Sequence, residues 1–147
     1  MSAVDNNWVL ELPTQIFTLV KTRVNKKINT SSLATKFKDT FWTMDNAVNI
    51  EPKFPTVYMF FESSEIGNDL LNKDINAIIC MAQIDITVSK ELGLNGARTL
   101  AGLCMNEFKE LGFNIKEAPN FNENSIDIKR IVFRAERVIG QADIIFS

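Results

Sequence analysis

Two carboxylate pairs, Glu62 with Glu65 and Glu107 with Glu110, are the first residues in this chain with a spacing that chemistry could use. Three residues apart, the members of each pair would be neighbours on a helix, close enough for general acid–base work or a metal ion. Either task needs further partners. The chain has no histidine, which removes the commonest general base and the commonest metal ligand near neutral pH. Both pairs therefore read as solvated charge. Ser31-Ser32 and Ser63-Ser64 have no base to activate them. Cys80 and Cys104 fall on apolar faces of expected elements and read as buried, reduced thiols. Gly93-Leu94-Asn95-Gly96 lacks the Lys-Ser/Thr of a phosphate loop. No catalytic, cofactor-binding or metal-ligating residue is expected, and the chain reads as a protein that is not an enzyme.

A different chemistry is carried by KRIVFRAERVIG, Lys129 to Gly140. The stretch is too apolar for a loop and too charged for a strand buried on both faces. It is expected to pack one face on the core and turn the other toward protein neighbours. Arg130, Arg134 and Arg137 suit that role through the planar fork of the guanidinium, and Glu136 stands among them. Their expected complement is an acidic loop with Glu62, Glu65, Asp69 and Asp74. Together these eight residues are the candidate subunit interface. The phenylalanine count, 11, is high. Most of these rings read as core, and some, with Trp8 and Trp42, as anchors of contacts between subunits.

Elements must position these side chains. At 147 residues the chain reads as one domain, a size that buries roughly 70% of the unfolded surface without a metal or disulfide. Its net charge of -2 argues against broad, sequence-independent binding of nucleic acid, which rests on neutralising phosphates. No apolar run is long enough to span a bilayer. The polar, acidic start MSAVDNN does not read as a secretory signal, so assembly in a cytosol is expected.

The first helix is expected to start at Pro13, a favoured first position. It carries Ile16, Val20, Val24 and Ile28 four apart, with Lys26 and Lys27 in the last turn where the macrodipole favours cations. Thr35 to Asp45 reads as a strand. PTVYMFFES gives a short strand, and SSEIGNDLLNKD a polar loop. INAIICMAQIDITVSK alternates strictly, with Ile78, Cys80, Ala82, Ile84, Ile86 and Val88 on one face. Ser89 is expected to cap the next helix. That helix presents Ala97, Leu100, Ala101, Cys104, Phe108 and Leu111 on one side and ends at a left-handed Gly112. NIKEAP is a short strand. The last strand, Ser125 to Ile139, changes apolar parity, which predicts a bulge near Lys129 and Arg130. The order implies an α+β fold: a mostly antiparallel sheet with two main helices packed on one face.

Several of these pieces occur in one order: FPTVY at Phe54 to Tyr58, INA at Ile75 to Ala77, QIDIT at Gln83 to Thr87 and Gly112-Phe113. Ala118-Pro119, R-x-x-x-R-x-x-R-x-I-G from Arg130 to Gly140, and Asp143 complete the set. In this the chain resembles the tail terminator, or tail completion, proteins of long-tailed bacteriophages, over roughly residues 13–145. The resemblance implies a 13–147 domain behind a 1–12 extension. It also implies a homohexameric ring at the head-proximal end of the tail, in the virion, binding the tail tube protein on one side. On the other side it would meet the head–tail connector or stopper protein. DNA would pass through the ring without being read. It implies no cofactor, no membrane and no catalysis. Two other roles fit the same residues, a neck or head-completion connector and a small cytosolic ferredoxin-like binding module.

Overall fold

Leu12, Ile16, Val20, Val24 and Ile28 recur every four residues, and all five are buried. They form the inner stripe of α1, Asn7–Asn29, in a computed structural model that describes residues 7–45, 55–69, 74–122 and 128–140. The helix begins six residues before the expected Pro13, which therefore lies inside it. An internal proline costs about 3 kcal/mol. The stripe nevertheless continues upstream, because Leu12 is buried and Trp8 and Val9 pack against the core, and each such burial returns about 1.5–3 kcal/mol. At the other end, Thr30 Oγ1 donates to Lys26 O at 2.8 Å and Ser31 Oγ to Ile28 O at 3.1 Å. The same two carbonyls accept the backbone N–H groups of Thr30 and Ser31, so the hydroxyls reinforce the end of the helix.

The strand expected over residues 35–45 is mostly something else. Its start is a one-turn helix, α2 (Ala34–Phe37), which buries Phe37. Only β1, Phe41–Thr43, is extended. Trp42 is buried and its Nε1 donates to Asn25 Oδ1 of α1 at 3.2 Å. That bond ties the edge of the sheet to the helix layer.

β2 runs from Thr56 to Asp69 and β3 from Asp74 to Ser89. They pair antiparallel from Thr56↔Thr87 to Asp69↔Asp74. The expected polar loop is thus largely strand, and only residues 70–73 of it lie outside the described residues. The reason is cooperative. β3 has an apolar face from Ile78 to Val88, and the register it fixes carries the polar half of β2 along the ladder.

β3 reaches Ser89, so that residue ends a strand and caps no helix. α3, Gly93–Glu110, follows a turn and has Leu92 at its N-cap, with no side-chain cap bond. Gly93 enters it at φ 65°, a left-handed conformation that glycine adopts freely. The far end matches expectation. Gly112 has φ 87°, its N–H donates to Lys109 O at 3.0 Å, and Phe113 N–H donates to Phe108 O at 3.0 Å. This is the Schellman arrangement. The hydrophobic contact that accompanies it is the edge-to-face pair Phe108–Phe113, with centroids 5.2 Å apart.

β4 (Asn114–Asn122) and β5 (Ile128–Gly140) complete a sheet of order β1-β2-β3-β5-β4. Only β1–β2 is parallel. β5 pairs with β3 residue for residue, from Ala77↔Gly140 to Ser89↔Ile128. The bulge expected near Lys129 and Arg130 is therefore absent there. The irregularities fall in edge strand β4, around Ile115, Glu117 and Asn120. Residues 125–127, expected to begin the strand, lie outside the described residues. α1 and α3 share one face of the sheet and close a single core with it. The fold is α+β, with a five-stranded, mostly antiparallel sheet.

Two glycines of α3 separate space from propensity. A Cβ on Gly96 would stand 2.8 Å from Leu92 Cβ, whereas one on Gly102 meets nothing within 4 Å. Gly102→Ala should raise stability by about 0.5–1 kcal/mol through helix propensity, and Gly96→Ala should lower it. Thermal denaturation followed by circular dichroism checks both. Equal melting shifts of one sign would contradict the packing.

Candidate functional site

Directly paired residues of neighbouring strands share a face. On β3, the residues opposite the core face are Ile79, Met81, Gln83, Asp85 and Thr87. They are flanked by Ser64, Glu62, Phe60, Tyr58 and Thr56 of β2. On the other side stand Val138, Glu136, Arg134, Val132 and Arg130 of β5. α1 and α3 occupy the other side of the sheet, and among the described residues no helix or strand covers this open face. Phe60 and Val138 are exposed on it. Apolar, aromatic and charged side chains alternate across it, with a recess of about 160 Å³ lined by Phe60, Glu62, Met81, Gln83 and Arg134.

The charged residues expected to meet a neighbour are placed by this register. Arg130 grips Asp85 through two parallel bonds, Nε to Oδ1 at 2.8 Å and Nη2 to Oδ2. Bidentate guanidinium–carboxylate pairing is among the strongest polar contacts a protein makes. The bond to Asp85 raises the Arg130 pKa above its ordinary value, against the opposing effect of burial. Asp85 is only 8% exposed although it lies on the open face. Arg134 Nε donates to Gln83 Oε1 at 3.0 Å. Glu136 has Lys116 at 4.0 Å, a loose surface pair that contributes little.

Arg137 is elsewhere. It pairs with Cys80 across the ladder and so falls on the helix side. Its Nη1 donates to Leu111 O at 2.6 Å, and its guanidinium lies 3.4 Å from where a Cβ on Gly112 would be. It closes the C-terminus of α3, where a cation also meets the helix dipole favourably.

The acidic group is divided as well. Glu62 is exposed on the open face and lines the recess with Arg134, so it belongs to the same patch as the arginine strand. Glu65, Asp69 and Asp74 lie on the distal half of the β2–β3 hairpin, and their side chains are outside the described residues.

One polar pair escaped the sequence reading. Glu107, read there as solvated with Glu110, is 1% exposed. Its Oε1 accepts Lys27 Nζ of α1 at 2.7 Å, and its buried Oε2 has no partner among the described residues. The hydrogen bond to Glu107 raises the pKa of Lys27. Spacing carried a signal for this, since Glu107 follows Cys104 by three in the inner stripe of α3. Both thiols are buried. Desolvation pushes Cys80 up to about 11, and it raises Cys104 further, with Glu107 adding to the effect. Neutral thiols are poor nucleophiles and poor metal ligands.

Lys27→Met strips the counter-charge from a buried carboxylate. It should cost on the order of 2 kcal/mol, allowing for screening of the half-exposed lysine. Adding Glu107→Leu should recover most of that loss. Urea unfolding of the two variants measures it, and a double variant no more stable than the single would contradict the pairing.

Compared with known proteins, the chain matches no protein-family model and no curated sequence.

Proposed function

We propose that this chain is a structural subunit of a bacteriophage tail. It closes into a homohexameric ring that caps the tail tube and joins it to the head-side connector. The observation that carries this reading is the face of the sheet that none of the described helices covers. It presents Tyr58, Phe60, Met81, Arg130 and Arg134, the residue types enriched where proteins bind proteins. A second support is the resemblance of an ordered set of sequence pieces to tail terminators; the described members of that set fall on β2, β3, the α3–β4 turn, β4 and β5.

The mechanism is association, with no bond made or broken. A cyclic ring uses a head-to-tail interface that closes on itself, so each subunit needs two different patches. The open sheet face supplies one. The tail tube protein and the connector protein bind the two ends of the ring. DNA crosses the opening held only weakly, as befits a chain with net charge -2, because strong retention would need many phosphate contacts.

Sedimentation velocity of the purified chain, alone and with tube protein, tests the reading. A hexamer in either sample is expected, and monomers in both would overturn it. Two arginine variants separate assembly from stability. Arg134→Gln, which keeps an N–H donor for Gln83 Oε1 and removes the charge, should weaken ring formation severalfold with a melting shift smaller than that of Arg137→Ala. Arg137→Ala should lower stability by about 1–2 kcal/mol, by losing the charged donor to Leu111 O. A melting temperature unmoved by Arg137→Ala would contradict the capping role.

A further inference from the structure

We propose that the recess on the open sheet face receives Leu10 of a second copy of this chain. The seam of the ring is then a contact between the first turns of α1 in one subunit and the β2–β3–β5 face of the next. This inference rests on the ring reading above.

Three large apolar side chains stand out in water among the described residues: Leu10 at 77%, Val138 at 55% and Phe60 at 43%. Phe60 and Val138 belong to the open face. Leu10 belongs to the opposite layer. It lies two residues before the buried Leu12 on α1, about 200° away around the helix axis, and so points away from the core. Leu10 on one side and the face with Phe60 and Val138 on the other are two different surfaces, which is what a head-to-tail contact needs. A face-to-face dimer would bury the open face twice and leave Leu10 in water.

The two patches match in kind. Phe60 and Met81, on neighbouring strands, give the recess apolar walls, and Glu62, Gln83 and Arg134 give it polar ones. Aromatic, methionine and arginine side chains of this kind are enriched where proteins bind proteins. Its volume, about 160 Å³, is close to the roughly 150 Å³ that accommodates a benzene ring, so it admits a single apolar side chain. Around Leu10 the exposed residues are Glu11, Thr14 and Gln15. Glu11 has the sign to meet Arg134 on the recess border.

A mixing experiment with two variants tests the pairing. Leu10→Asp keeps a good recess and loses its knob; Phe60→Asp keeps the knob and loses the recess. Both side chains are exposed, so circular dichroism melts should match the wild type, and Leu10→Gln, which favours helix, repeats the first arm without a new charge. In sedimentation velocity, run with tube protein where the wild type needs it, the wild-type chain should form rings. Each variant alone should remain monomeric at tenfold higher concentration. Their equimolar mixture should give 1:1 dimers and no rings, because one seam is intact and its mirror is doubly broken. A wild-type ring with a mixture that stays monomeric overturns the pairing and leaves the ring reading standing. So does a Leu10 variant that assembles like the wild type. A wild-type chain that stays monomeric at every concentration, with and without tube protein, overturns both.

Discussion

The side chains of β3 alternate between two environments, and its register cannot slip by one residue without exchanging them. Ile78, Cys80, Ala82, Ile84, Ile86 and Val88 are fully buried under the helices, while Gln83, Asp85 and Thr87 point the other way. A one-residue shift would put a carboxylate into the core, at a cost of several kcal/mol. β3 is the middle strand, so both its neighbours inherit this choice. The inner face is closed by α1 and α3, and the outer face is left to whatever the chain binds.

Charge follows the same division. Arg137 and Glu107 lie on the helix side, and each is held by a specific partner, Leu111 O and Lys27. They join elements of one chain. Arg130 and Asp85 neutralise each other on the outer face, which stiffens the β3–β5 pair there. Arg134, Glu62 and the exposed Phe60 ring at the recess are what a neighbour would meet. The arginine-rich strand thus holds three roles that its composition alone runs together. One arginine finishes a helix, one locks two strands, and one borders the recess of the open face.

Much of this architecture was legible in the sequence where a single period governs a long stretch. The stripes of α1 and α3, the alternation of β3 and the glycine stop at Gly112 all emerged as read. Elements stabilised by something distant did not. The distal half of β2 is polar, and only the register of β3 marks it as strand. α1 begins ahead of Pro13 because Trp8 and Leu12 bury against the core, a tertiary gain that outweighs a local penalty. Ser89 has the chemistry of a cap, but the ladder to Ile128 claims it first. For the candidate site, parity was more informative than residue type. Arg137 shares the odd numbering of Ile131, Phe133, Ala135 and Ile139, all buried, and that parity alone places it on the helix side. The partition of Glu62 from Glu65, Asp69 and Asp74 was not legible, because it depends on where a long hairpin carries them.

The central claim is that assembly covers the open face of the sheet. Hydroxyl-radical footprinting read by mass spectrometry measures this most directly, since Met81, Phe60 and Tyr58 are reactive reporters on that face. Their oxidation should fall at least severalfold on passing from dilute monomer to assembled ring, while Thr18, Thr22 and Lys26, exposed on the outer side of α1 beyond its first turns, should change little. Unchanged oxidation of Met81 and Phe60 in an assembled particle would contradict it.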